Sequence, residues 1–180
     1  MSESYQIRDQ SAIHYLTFQV INWMDVFTRQ SYRDIVVNNF NYCIQNKGLA
    51  VHAYVIMSNH VHCILSSNTC NLSNTIRDFK TDTSKKIINE MKLVTESRRE
   101  WMLGQMKYFA KTNKRNSEHQ FWTQENHPVE LFSNLFKDQK LNYIHDNPVR
   151  AGLVAEPWHY VYSSARAYAG MSSIVKIDFL

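Results

Sequence analysis

The stretch "SNHVHCIL", Ser58–Leu65, decides how this chain folds and what it can do, because it sets His60 and His62 one residue apart inside an apolar run. In an extended strand successive side chains alternate faces, so His60, His62 and Ile64 share one side while Val61, Cys63 and Leu65 share the other. Two imidazoles then converge on one patch of sheet. Such a pair suits a shared divalent ion, because neutral imidazole is a common ligand. It equally suits two hydrogen-bonded histidines on a half-exposed sheet face, so the surrounding residues have to decide.

Working outward, Ser58-Asn59 supplies turn chemistry between the histidine strand and a preceding strand, Ala50 to Met57, rich in Val, Ile and Tyr. The two form a hairpin. Upstream, Leu16, Phe18 and Val20 alternate with Thr17 and Gln19, which places a first strand within His14 to Trp23. Between them Tyr32, Ile35, Val36, Phe40 and Ile44 recur at helical spacing until Lys47-Gly48, a stop signal. Downstream, Leu72, Ile76, Phe79, Thr83, Ile87 and Met91 line one stripe of a long helix from about Leu72 to Leu93. A shorter helix covers Arg98 to Tyr108, "KTNKRNSEHQ" reads as an exposed basic loop, and Gln120 to Gln124 reads as a fourth strand. The order βαββαβ predicts an α+β fold: a ferredoxin-like core, with an antiparallel sheet and helices on one face.

A last long helix is expected from about Pro128 to Asn147, ended by Pro148. At about 100° per residue, Val129, Phe132, Phe136, Tyr143 and Asn147 fall on an inward face, and Asn134, Asp138, Asn142 and His145 on the outward one. Tyr143 and Asn147 are therefore neighbours one turn apart. A core tyrosine with a capping asparagine would give the same pattern.

The chain has 180 residues, 44% of them hydrophobic, with 4 Gly and 3 Pro. That suits one domain over residues 1–180 with a proper core, and excludes a disordered or low-complexity chain. No apolar run approaches the roughly 20 residues of a membrane span, and Met1 to Gln10 lacks a signal-peptide core, so a cytoplasmic protein is expected. Cys43, Cys63 and Cys70 lack zinc-ribbon spacing and read as reduced thiols. From Thr75 to Glu118 there are 11 Lys/Arg against 6 Asp/Glu, an excess of +5 in a chain whose net charge is +4. Such a segment is either a solvated helix face or a footprint for phosphates, and its Phe79, Trp101, Tyr108 and Phe109 suit either core packing or base stacking.

A histidine pair, a Tyr and an Asn one turn apart, and a basic surface together suggest phosphodiester chemistry. A tyrosine hydroxyl, with an ordinary pKa of about 10, is a weak nucleophile at neutral pH and needs a metal to draw charge from the phosphate.

"MSNHVHCIL" resembles the His-hydrophobe-His (HUH) motif of the single-tyrosine transposases. "LNYIHDNPVRAGLV" followed by "WHYVYSSARAY" resembles the tyrosine-helix signature of their REP-associated tyrosine transposase branch. The resemblance runs from Tyr15 to Tyr168 and implies a ferredoxin-like core with a C-terminal tyrosine-bearing helix. Carried over by residue, it makes His60, His62 and Asn147 ligands of Mg²⁺ or Mn²⁺ and Tyr143 the nucleophile. It implies cleavage of single-stranded DNA beside a hairpin at a palindromic repeat, through a 5′-phosphotyrosine with release of a 3′-hydroxyl. Lys107, Lys111, Lys114, Arg115 and Arg150 are the candidate DNA contacts. Many relatives have proline where Ser58 stands, and some carry glutamine in place of Asn147, whose shorter amide implies a closer helix. Parts of the superfamily act as homodimers that exchange their tyrosine helices, so cis and trans assembly both stay open. Two rival readings are a domesticated hairpin-binding protein that no longer cuts and a metal nuclease that uses water.

Overall fold

The computed structural model describes residues 6–111 and 118–180. Strand β1 (His14–Gln19) opens the fold and leads into a single 3₁₀ turn, Ile21–Trp23. Helix α1 (Gln30–Lys47) follows, and Gly48 caps it with φ +65°, a left-handed conformation that glycine adopts without the penalty of a Cβ. Strands β2 (Leu49–Ile56) and β3 (His60–Ser67) form the expected hairpin. Its turn is held from outside: Val20 N donates to Asn59 O at 2.9 Å and Phe27 N to Ser58 O at 2.8 Å.

Helices α2 (Leu72–Leu93) and α3 (Arg99–Lys111) come next, then a two-residue strand β4 (Val129–Glu130), helix α4 (Asn134–Arg150) and a short α5 (Ala165–Tyr168). The sheet is antiparallel with order β2-β3-β1-β4, the ferredoxin-like arrangement. On one face Leu16, Phe18, Val61, Cys63 and Leu65 pack against α1, α2 and α3, whose Phe40, Phe79 and Met106 belong to the same core. On the other face Tyr15, Ala53, Val55 and Ile64 meet α4 through Ile144. A bulge at His52 shifts the β2 register between Val51 and Ala53, which is why Val51 and Tyr54 point to the same side. No helix among the described residues is long and apolar enough to cross a membrane.

The fourth strand is not Gln120 to Gln124. That segment runs beside the end of β1 with one bridge, Val20 to Trp122, and the bond Thr123 N to Gln19 O at 2.8 Å. Phe121 and Trp122 are buried as consecutive residues, so the segment drops side chains into the core instead of alternating. The ladder itself is made by Val129–Glu130 against His14 and Tyr15.

Helix α4 also begins later and ends later than its sequence suggested. Ser133 is the N-cap, its hydroxyl accepting from Phe136 N at 3.3 Å, and the preceding residues belong to β4 and a loop. Pro148 lies inside the helix. The stop comes at Gly152, φ +70°, where Leu153 N donates to Pro148 O and Gly152 N to Val149 O, both at 2.9 Å. Those paired bonds are the Schellman closure, and the left-handed residue they require is the glycine.

Candidate active site

The register of the sheet builds the first half of the site. Thr17 lies opposite His62 and Gln19 opposite His60, so the β1 side chains Tyr15 and Thr17 share the histidine face. The His60 and His62 rings stand 4.5 Å apart between centroids. Each ring is held through Nδ1. Asn59 Oδ1 accepts from His60 Nδ1 at 2.7 Å, an assignment fixed by the amide's other end, whose Nδ2 donates to Asp25 Oδ1 at 3.0 Å and to Trp23 O at 3.3 Å. His62 Nδ1 lies 2.8 Å from the Tyr15 hydroxyl and 2.9 Å from Thr17 Oγ1. Because His60 Nδ1 donates to the Asn59 oxygen, its Nε2 keeps a lone pair, whereas His62 Nδ1 faces two hydroxyls that can each donate or accept.

Both imidazoles are neutral. Burial lowers His60, and burial first, then the neighbouring His60 ring and the Lys140 ammonium, push His62 down to about 3. Neutral imidazoles are suitable donors for a divalent ion. No cluster of three or more His, Cys, Asp or Glu among the described residues could hold a metal, so a further protein ligand has to be of another type. The Asn147 amide is of that kind: its Nδ2 donates to Tyr143 O at 2.8 Å and Oδ1 has no hydrogen-bond partner among the described residues.

Helix α4 builds the second half. Its buried stripe is Ile144, His145 and Pro148, one residue round from the face that sequence periodicity favoured. His145 therefore faces inward, contrary to expectation, where its Nε2 lies 2.8 Å from Ser164 Oγ and burial lowers its pKa to about 4. Phe132, expected inward, is 83% exposed ahead of the helix. Tyr143 sits on the flank at 39% exposure, and its ring lies 5.4 Å from that of His62 and 6.4 Å from that of Tyr15. Two cations accompany it. Lys140 Nζ stands 4.7 Å from the Tyr15 ring centroid, 5.6 Å from Phe136 and 6.0 Å from Tyr143, and the Arg150 guanidinium lies 5.8 Å from the Tyr143 ring. Neither cation has a carboxylate partner among the described residues, so both charges are available to an anion at Tyr143.

A family described as "Transposase IS200 like" matches residues 10–124. The chain belongs to the IS200-like transposase family. The match covers the histidine strand and ends before Tyr143. Among solved structures, a REP-associated tyrosine transposase bound to a REP hairpin is similar over 99% of this chain and 92% of its own, with 16% identity and a TM-score of 0.65. At that identity the likeness concerns the fold. The chain matches no curated protein sequence.

Within this family member the basic segment lies mainly on α2 and α3, on the sheet face opposite α4. Arg77, Lys80, Lys85 and Lys92 border a groove of about 1050 Å³ between α2 and residues 118–128. Lys80 is committed to the fold, donating to Thr123 O at 2.8 Å and Asn126 Oδ1 at 2.6 Å. Lys107 and Lys111 are exposed on α3, while Lys114 and Arg115 lie outside the described residues. Of the aromatic residues proposed for stacking, Phe79 is core, 4.6 Å from Phe40, whereas Trp101 and Tyr108 are exposed on α3. Tyr15 and Lys140 were missed by sequence reasoning; Lys140 could have been found from its position one helical turn before Tyr143, and Tyr15 from its alternation with Thr17 in β1.

Proposed function

We propose that this chain is a single-tyrosine DNA strand transferase of the REP-associated type, cutting and rejoining single-stranded DNA beside a hairpin with Tyr143 as nucleophile. One observation carries the reading: the Tyr143 ring lies 5.4 Å from His62, whose ring is 4.5 Å from His60, on a patch where both imidazoles are neutral. Family membership supports a transposase, and hairpin DNA as partner is supported by the fold-level likeness to a transposase bound to a REP hairpin.

Bound Mg²⁺ or Mn²⁺ would draw charge from the phosphate and favour in-line attack. Its ligands would be His60, His62 and Asn147. Lys140 and Arg150 bind the phosphate oxygens electrostatically. The Tyr143 oxygen bonds to phosphorus as it loses its proton. The bond from phosphorus to the 3′ oxygen breaks, and that oxygen takes up a proton to leave as a 3′-hydroxyl. Rejoining reverses these steps, a 3′-hydroxyl displacing the tyrosine.

The experiment is a denaturing gel of 3′-labelled hairpin DNA with Mn²⁺ and either the parent or Tyr143→Phe. The label stays with the 5′-phosphate that the tyrosine keeps. A slow labelled band in the parent, lost in the variant, supports the proposal. Cutting that survives in the variant transfers the chemistry to water, and binding without any adduct in the parent leaves a hairpin-binding protein.

A further inference from the structure

Beside the histidine pair the backbone does something unusual. Asn22 and Trp23 are consecutive non-glycine residues in the left-handed region, with φ of 55° and 52°. L side chains disfavour that conformation, and it persists only where neighbouring contacts impose it. Here the contacts are explicit. Val20 and Met24, buried on either side of the turn, fix where it begins and ends. Trp23 N donates to Val20 O at 3.1 Å, Trp23 O accepts from Asn59 Nδ2 at 3.3 Å, and Asn22 Nδ2 donates to Gln105 Oε1 of α3 at 3.3 Å.

The result is an indole displayed to solvent, 58% exposed, with its ring 6.0 Å from that of His60 at an interplanar angle of 80°. Packing gains nothing from this, since a tryptophan contributes most when its surface is buried. Position gains a great deal. The Asn59 amide that holds the Trp23 carbonyl also orients His60, so the indole and the imidazole are fixed by one side chain. The same turn is tied to α3 through the bond from Asn22 to Gln105. An exposed flat aromatic surface beside the proposed phosphate-binding histidines has the composition of a site for an unpaired base.

We propose that Trp23 is a stacking platform for the unpaired base flanking the cleaved phosphate, setting which phosphate in the single-stranded arm reaches Tyr143. The inference rests on the proposed strand-transfer reading and adds to it a residue that touches base instead of backbone. Stacking needs only a π face, so the platform fixes the spacing between hairpin and cleavage point and tolerates any base.

The test is a coupling cycle in the non-cleaving Tyr143→Phe background. The probe is a DNA stem-loop with an oligothymidylate arm, and an abasic nucleotide is moved along the arm one position at a time. Trp23→Ala is expected to weaken binding of the intact probe by about tenfold to a hundredfold, the range of base-aromatic stacking, with Trp23→Phe restoring most of it. At one arm position the abasic substitution should weaken the Trp23-containing protein by a similar factor and cost the Trp23→Ala protein nothing further. Unchanged affinity in Trp23→Ala, or losses that multiply independently at every position, overturns the stacking inference. If the Trp23-containing protein does not bind the stem-loop at all, the strand-transfer reading falls and takes this inference with it; a parent that forms the covalent adduct while the cycle shows no coupling removes the inference alone.

Discussion

The Tyr15 hydroxyl lies 2.8 Å from His62 Nδ1 on the neighbouring strand, with Thr17 Oγ1 at 2.9 Å from the same nitrogen. The two oxygens fix the orientation of the His62 ring. Partners of this kind set ligand orientation and typically change metal affinity by about 10- to 100-fold. Tyr15→Phe combined with Thr17→Val is expected to weaken Mn²⁺ binding by that factor, with a stability loss on the order of 1 kcal/mol per hydrogen bond. Titration calorimetry reads the first and urea unfolding the second. Unaltered Mn²⁺ affinity would reduce the hydroxyls to packing groups.

Removing the ring itself is the more severe change. His62→Ala deletes a proposed ligand, so it should abolish Mn²⁺ binding and strand cleavage while the far-ultraviolet circular dichroism stays that of the parent. Undiminished Mn²⁺ binding by the variant would falsify the ligand assignment.

Lys140 makes a separable prediction, because it carries charge without belonging to the proposed ligand set. Lys140→Gln should leave Mn²⁺ binding in place, slow adduct formation, and reduce the log-log salt dependence of single-strand binding by about 0.7, the value for one phosphate contact. Arg150→Ala should act alike. Replacing Lys107 and Lys111 by alanine should flatten the same dependence without slowing adduct formation at saturating DNA, and a slope that ignores them would route the strand away from α3.

Acid should loosen the fold through His145. Its folded pKa is lowered to about 4 by burial, below the ordinary unfolded value of about 6.5. The unfolded chain therefore takes up the proton first. Stability from the neutral ring is complete above about pH 6.5 and is lost as pH falls toward 4, by a few kcal/mol at about 1.4 per pKa unit. His145→Gln keeps a polar group near Ser164 and should show a shallower acid decline in urea midpoints between pH 7.5 and 5. Equal declines in both proteins would assign the acid sensitivity to the other buried histidines.

Gly152 closes α4 at φ +70°, and an added Cβ would meet nothing within 4 Å, so any penalty comes from the backbone alone. Gly152→Ala should cost about 1 kcal/mol or slightly more in chemical unfolding. No loss would mean that the helix end re-forms without the left-handed residue.

The parts of the fold that were legible are those where periodicity runs unbroken to a stop signal. Leu72 to Leu93 was read to the residue, α1 ended at Gly48, and the hairpin followed from Ser58-Asn59. The misreadings come from local patterns that tertiary contacts override. Phe121 and Trp122 have strand-like composition, yet both are buried beside α2, and the ladder passes to Val129–Glu130. Pro128 is a good first-turn residue, but the Ser133 cap begins the helix later, and the buried stripe through Ile144 and Pro148 turns His145 inward and leaves Tyr143 on the flank. The residues expected at the site were named from motifs; their orientation by Tyr15, Thr17 and Asn59 depends on strand register and hydrogen bonding between segments far apart in sequence.

The outer border of β2 offers few free backbone groups to another strand. Ile56 N donates to Tyr162 O at 3.0 Å, Ser164 N to Tyr54 O at 2.9 Å, and Asp178 N to Val51 O at 3.0 Å, so the C-terminal segment occupies that border along much of its length. At the opposite border β4 spans only Val129–Glu130. A second molecule thus has little opportunity to extend the sheet by strand addition, the usual route to domain exchange and fibrous aggregation. Two copies meeting in solution would have to do so through side chains, which leaves the choice of assembly to surface residues that can vary without disturbing the histidine strand.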